Sequence, residues 1–339
     1  MAHSPLTDVT LESKVAFLCQ PTSFPDPTFN VEAVETHMSW VFLTDNYAYK
    51  LKKPVCYEFL DFSTLDSRHY FCEEEVRLNR RLAADVYLGV EPLTVDTMNR
   101  LQLGGPGKVI DWLVKMCRLP ENQMLDYAIR NGEASEGDMD AVAARLAAFY
   151  RDSIPIAVDR EQYRYRLLKN IDAHQQELVS WGYQCPDGQV ETICSALRGT
   201  LQSAAALFDE RAAMGKIIEG HGDLRPEHIF LRPNLVIIDC LEFSRELRII
   251  DTADELAFLA LECERLGAAS LGQRLLETYR LISGDGMPGE LVGFYQAYRA
   301  ILRAAIALRH LKEERFRSSP SWRQRAAAYL KLAEQHILI

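Results

Sequence analysis

The run His221-Gly222-Asp223-Leu224-Arg225-Pro226-Glu227-His228, followed by the apolar residues 229–231 and 235–238 and then Asp239, constrains this chain more than any other stretch. Two short β-prone runs bracket a turn at Arg232-Pro233-Asn234, so the segment predicts polar loop, strand, turn, strand and an acid at the strand's end. One hairpin-like unit can then gather Asp223, His228 five residues on and Asp239 sixteen residues on. A metal site built from His221, Asp223, His228 and Asp239 is chemically possible, but no H-E-x-x-H or C-x-x-C accompanies those residues.

Protein kinases carry H-R-D-L-K-P-E-N at the corresponding place: the Asp accepts the proton of the attacking hydroxyl, the Lys faces the transferring phosphoryl and the Asn holds magnesium. The present H-G-D-L-R-P-E-H resembles that run. It is still more similar to the H-G-D-x-x-x-x-N run of the aminoglycoside phosphotransferase-like (choline kinase-like) branch of the kinase superfamily. The resemblance implies Asp223 as catalytic base, Arg225 as the phosphate-facing cation and Asp239 as the metal-holding acid at the D-F-G position. His228 stands where the magnesium-binding Asn is expected. As a ligand, its imidazole favours Mn2+ over Mg2+; the alternative is that it donates to the Asp223 loop or to a phosphate and binds no metal.

The chain has 339 residues, enough for two lobes, and with 48% hydrophobic and 25% charged residues it has ordinary globular composition. A net charge of -10 argues against nucleic acid or an anionic membrane as partner and favours a small molecule or a protein. Eight cysteines without a C-x-x-C pair, no signal-like start and no run near ~18 apolar residues lead us to expect a reduced, cytoplasmic protein. Oligomeric state is not legible.

Residues 1–30 read as a short helix and an irregular connector. Strands are predicted over 31–36, 40–44 and 47–53, with Asp45-Asn46 as a hairpin turn. Tyr47-Ala48-Tyr49-Lys50 is similar to the kinase V-A-I-K strand, which makes Lys50 the expected ligand of the α- and β-phosphates. Strand alternation places Ala48, Lys50 and Lys52 on one face, so Lys52 stays open as that ligand. No glycine-rich loop precedes the strand; Thr36-His37-Met38-Ser39 takes its place, with Ser39 covering the phosphates. A helix follows from Ser63 or Thr64 to 84, and Glu75 falls on its apolar stripe with Phe71, Leu78 and Leu82. Glu75 is the expected partner of the strand lysine, and Glu74 is the alternative.

Strands over 86–94, 98–103 and 108–119 follow, and Gly104-Gly105-Pro106-Gly107 is not a P-loop because Val109 follows Lys108. Arg118 and Leu119 occupy the place of the kinase hinge, whose backbone binds adenine. Pro120 marks the lobe boundary. Amphipathic helices are predicted over 138–150, 162–181, 189–213, 253–266, 271–283, 289–312 and 321–338. Glu242 is near enough to Asp239 to order a second metal or a water. Asp254-Glu255-Leu256-Ala257 resembles the D-L-A helix start whose acid braces the catalytic loop in that branch, while Asp251 and Asp254 read as helix caps.

The expected fold is α+β and bilobal, protein kinase-like: a small antiparallel sheet in a nucleotide-binding lobe, 1–120, and a mainly helical lobe, 121–339, carrying the catalytic loop and substrate site. The run 49–63 with Cys72-Glu73-Glu74-Glu75 and Asn79-Arg80-Arg81 is similar to a poorly characterised bacterial subgroup of this branch, some members of which carry a further P-loop domain. The resemblance implies ATP, Mg2+ or Mn2+, and phosphorylation of a small-molecule hydroxyl. A nucleotide-binding pseudokinase and a nucleotidyl (AMP) transferase are the alternatives. The helices mix charge signs without an acidic stripe, which points away from cationic aminoglycosides.

Overall fold

The structure is a computed structural model and describes residues 9–57, 60–180, 188–312 and 319–337. Trp181, Cys185 and Leu338, which the sequence reading included, lie outside these. The chain divides into two compact units, Met1–Glu121 with Val236–Arg245, and Asn122–Leu235 with Glu246–Ile339. The segment that carries Asp239 therefore belongs to the first unit.

The first unit opens with α1 (Leu11–Leu18), capped by the Thr10 hydroxyl. There follow β1 (Glu32–Glu35), β2 (Ser39–Leu43), β3 (Tyr47–Lys52), the short pair β4 (Cys56–Tyr57) and β5 (Leu60–Asp61), α2 (Leu65–Ala83), β6 (Tyr87–Val95), β7 (Leu101–Leu103) and β8 (Lys108–Cys117). Six of these strands form one sheet in the order β1-β2-β3-β8-β6-β7, with antiparallel neighbours throughout. Thr64 caps α2, settling the choice between Ser63 and Thr64. The period of two in β3 divides its side chains between two cores. Tyr49 and Leu51 pack with Leu18, Phe24 and Phe42, so α1 and the connector after it cover one face. Ala48 packs on the other with Cys72 and Val76 of α2, Val114, Met116, and the half-buried Val236 and Ile238.

The second unit is helical: α3 (Leu125–Arg130), α4 (Glu136–Asp152), α5 (Arg160–Ser180), α6 (Gln189–Ser203), α7 (Ala205–Ala213), then β9 (Ile217–Glu219) and β10 (Ile229–Phe230). The chain crosses the first unit through β11 (Val236–Ile237) and returns by way of α8 (Arg245–Arg248), β12 (Ile249–Asp251), α9 (Thr252–Arg265), α10 (Ala269–Ser283), α11 (Gly289–Arg309) and α12 (Pro320–Ile337). Ser135 and Asp138 form a reciprocal capping box on α4. The helix expected over 189–213 is two, because the backbone leaves helical geometry at Ala204. α9 is buried along Thr252–Cys263, and α10 and α11 pack against it. An α+β chain with one antiparallel sheet unit and one mainly helical unit is the class expected from sequence. Among the described residues no helix is long and apolar enough to cross a membrane.

Candidate active site

In the first unit Lys50 extends from β3 and donates to Glu75 Oε1 of α2 at 2.8 Å and to Asp239 Oδ1 at 2.8 Å. Lys52, on the same face and fully buried, donates to the other oxygen of Glu75 at 2.6 Å and to Glu242. Each oxygen of one buried carboxylate thus answers a different ammonium. Burial opposes the charge on Lys50, but the carboxylates of Asp239, Glu75 and Glu242 hold it well above the ordinary lysine range. Burial likewise raises the Glu75 carboxyl, and the two lysines overcome it and lower it. Glu74 pairs with Arg77 on the exposed side of α2 at 2.7 Å, so the helix phase selects Glu75 over Glu74.

Asp239 has φ +60°, a conformation in which Asp is among the better tolerated non-glycine residues. Two buried groups hold this bend: the Asp239 N–H donates to Tyr87 Oη at 3.1 Å, and the Cys240 N–H donates to Asn79 Oδ1 at 2.8 Å. The Asp239 side chain remains 45% exposed, whereas Lys50 is 14% exposed. Glu242 differs from the expectation of a second metal or water position, because Lys52 engages it.

Register places Ser39 opposite Lys52 and Val41 opposite Lys50, on the lysine face. Ser39 is buried, and its N–H donates to Thr36 Oγ1 at 2.9 Å, so that amide is engaged in the turn itself. Beside the lysines, Ala48 and Met116 belong to the core cluster under α2, with the half-buried Val41, Leu43, Leu119 and Ile238 packed against it. The Arg118 N–H donates to the Asn46 carbonyl at 2.9 Å and its guanidinium to the Thr44 carbonyl, which ties that residue to the β2–β3 turn.

In the second unit the H-G-D loop lies between β9 and β10. Glu255 Oε1, from the first turn of α9, accepts the N–H groups of His221 and Gly222, both at 2.7 Å, and Oε2 accepts from Tyr150 Oη at 2.9 Å. The bracing acid of the D-E-L-A segment is therefore Glu255. Asp251 caps α9 by accepting from the Ala253 N–H, as expected. Asp254 is no cap, since Arg299 binds its two oxygens at 2.6 and 2.8 Å.

Arg225 Nε and Nη2 reach Asp223 Oδ2 at 3.0 and 2.9 Å, and Nη1 reaches Glu227. Among the described residues Asp223 Oδ1 accepts no hydrogen bond; Arg303 Nη1 lies 3.9 Å from it. Burial raises the Asp223 carboxyl, but the guanidinium groups of Arg225 and Arg303 outweigh it and hold it at about 2. His228 is buried with both ring nitrogens engaged. Nδ1 is 2.9 Å from the Asp223 carbonyl, which can only accept, and Nε2 is 3.0 Å from an Arg225 nitrogen, which can only donate. The hydrogen-bond geometry thus places an Nδ1–H on the Asp223 carbonyl and the Nε2 lone pair toward Arg225, leaving no nitrogen for a metal. This favours the alternative in which His228 orders the Asp223 loop. Asp239, a half-exposed hard oxygen donor, suits magnesium, which takes one or two carboxylates with substrate phosphates. Among the described residues no three His, Cys, Asp or Glu are grouped to hold a metal.

Tyr87, Asn79, Glu255, Tyr150 and Arg303 were not singled out from the sequence as site residues, Glu255 having been read only as part of a bracing segment. Polar residues inside apolar helical stripes were the available signal: Asn79 lies one turn beyond Glu75, Glu255 is buried among the apolar residues of α9, and Arg303 interrupts the buried run of α11.

No family model matches the chain. Uncharacterised proteins of Mycobacterium bovis and Mycobacterium tuberculosis are each 33% identical to it over 322 residues, covering 94% of this chain. The chain spans 62% of the length of those relatives. The crystal structure of a choline/ethanolamine kinase family protein from Mesorhizobium loti aligns with a TM-score of 0.57 at 15% identity, over 98% of this chain and 95% of that one. At that identity the likeness establishes fold: the chain has the bilobal protein kinase-like fold, and the resemblance read from its motifs is borne out at that level.

Proposed function

We propose that this chain is an ATP-dependent phosphotransferase of the aminoglycoside phosphotransferase-like (choline kinase-like) family, acting on a hydroxyl of a small molecule. The observation that carries the reading is the Lys50 ammonium held between Glu75 and Asp239, at 2.8 Å from each. A lysine so oriented, with a half-exposed acid beside it, is poised to exchange one carboxylate contact for a phosphate oxygen. The half-buried Val41, Leu43 and Leu119, packed on Ala48 and Met116, are the apolar residues we assign to adenine. Ser39 lines the phosphate side.

In the reaction the bond from the γ-phosphorus to the oxygen of the departing ADP breaks, and a bond from phosphorus to the acceptor oxygen forms. The acceptor's proton passes to Asp223 Oδ1, the oxygen that Arg225 leaves open. Arg225 fixes the carboxylate through Oδ2 and places positive charge where the phosphoryl group accumulates negative charge. Asp239 is the residue that would hold magnesium, together with nucleotide phosphate oxygens, and the ion would neutralise phosphate charge. His228 takes no part in ligation and fixes the loop carbonyl.

Asp223→Asn keeps the size and the contact with Arg225 but removes the base. Turnover should fall about 10²–10⁴-fold with ATP affinity retained. ADP release and product mass check this: a gain of phosphate supports transfer, a gain of AMP supports nucleotidylation, and wild-type turnover in Asp223→Asn sinks the assignment.

A further inference from the structure

Arg303 lies in the middle of α11 between the buried pairs Ala300-Ile301 and Ala304-Ala305. Its guanidinium is 6.0 Å from the ring centres of both Phe258 and Tyr329. The side chain is 14% exposed, its Nε is shielded without a hydrogen-bond partner among the described residues, and its Nη1 stands 3.9 Å from Asp223 Oδ1, too far for a hydrogen bond. Neighbouring arginines are satisfied differently: Arg299 closes two bonds on Asp254, Arg265 binds Glu262 at 2.8 Å, and Arg225 binds Asp223 and Glu227. A nearly buried guanidinium whose carboxylate neighbour among the described residues is out of hydrogen-bond reach carries a desolvation cost that an anion would offset.

Two acids of α9 are already engaged. Glu255 accepts two loop N–H groups and a tyrosine hydroxyl, and Glu262 accepts from Tyr329 and Arg265. A cationic group next to a hydroxyl at Asp223 Oδ1 would meet the Arg303 guanidinium, which, unlike Arg225 with Asp223 and Glu227, has no hydrogen-bonded carboxylate among the described residues, and like charges repel. An oxygen at Oδ1 that belongs to an anionic molecule meets the opposite situation.

We infer that the acceptor is an alcohol that carries an anionic group, a carboxylate or a phosphate, close to the reacting hydroxyl, and that Arg303 receives that group. The inference rests on the phosphotransferase reading above and names its substrate class, making Arg303 the residue that selects it.

The test titrates the full chain, as wild type and as Arg303→Gln, with four alcohols of similar size: glycerate, glycerol 3-phosphate, neutral glycerol and cationic serinol. Calorimetry reads binding, and mass spectrometry reads phosphorylation with ATP. Wild type should bind glycerate or glycerol 3-phosphate at least about tenfold more tightly than glycerol or serinol, and whichever anion prevails identifies the group. Arg303→Gln should lose about 10- to 100-fold of that binding, while ATP affinity, measured separately, stays as it was. If the Gln variant does not fold, Arg303→Lys keeps the charge but not the planar fork and should bind the anion several-fold more weakly than wild type. Tighter binding of serinol or glycerol, no binding of either anion, or anion binding that survives both substitutions overturns the inference. Anion binding lost in the variants with no phosphorylated product would sink the phosphotransferase reading and leave the anion site. Phosphorylated serinol without anion binding does the reverse.

Discussion

Lys50 and Lys52 are separated by one β-strand repeat and share a carboxylate, yet their surroundings give them different work. Lys52 is fully buried against Glu75 and Glu242, so removing it takes a buried ammonium away from one oxygen of Glu75 and from Glu242. Lys52→Met should cost about 3–5 kcal/mol in urea unfolding, the penalty of breaking a buried ion pair from one side. Lys50→Met leaves Glu75 paired with Lys52 and should cost less stability. It should weaken ATP by about 1.5–3 kcal/mol and leave adenosine unchanged, because an ammonium on the phosphates contributes nothing to the nucleoside. Calorimetry with both ligands decides: equal losses, or a larger loss of ATP in Lys52→Met, would reverse the assignment. Alternation along β3 put both lysines on one face from sequence, but the inner and outer positions depend on how α2 and the 239–242 segment pack over that face.

The loop that presents Asp223 depends on elements remote in sequence. β9 pairs with β12 in antiparallel register, Ile217 opposite Asp251, and this brings the first turn of α9 against Gly220. A methyl at Gly220 would lie 2.9 Å from both carboxylate oxygens of Glu255, so only glycine lets Glu255 approach the loop amides. Gly220→Ala should therefore destabilise by about 1–3 kcal/mol and lower turnover as the loop shifts. Gly199, in α6, has nothing within 4 Å of such a methyl, and Gly199→Ala should stabilise by about 0.5–1 kcal/mol through helix propensity. Urea midpoints of the two variants check the contrast, and a neutral Gly220→Ala would contradict the bracing role of Glu255. Most long helices could be read from periodicity within a few residues. β9 and β12 could not, because three-residue strands are too short for a pattern to show.

Across the whole molecule, carboxylates held below their ordinary range set how stability responds to acid. Asp223 is held at about 2 by Arg225 and Arg303 against the opposing effect of burial, while an unfolded aspartate titrates near ~3.9. A depressed folded value means that its contribution is fully present above ~3.9 and is lost as pH falls through about 2. The stability difference between wild type and Asp223→Asn should accordingly be constant from pH ~7 to ~5 and narrow below ~4, as read from denaturant midpoints at each pH; a difference independent of pH down to ~2 would show that Asp223 is not so held. The sequence by itself determined the α+β class, the H-G-D-L-R loop and the lysine-bearing strand, because local periodicity, turn chemistry and spacing are written in neighbouring residues. The sequence also pointed to Glu75 as a lysine's partner and to the Asp254–Ala257 segment as the brace, but tertiary structure decided how the charges share out. Glu75 lies between two lysines, Glu242 answers Lys52, His228 turns its lone pair to Arg225, Glu255 braces the loop, and Arg303 faces Asp223. Those pairings join residues up to 190 positions apart, and their energies depend on distance and burial that no local pattern encodes.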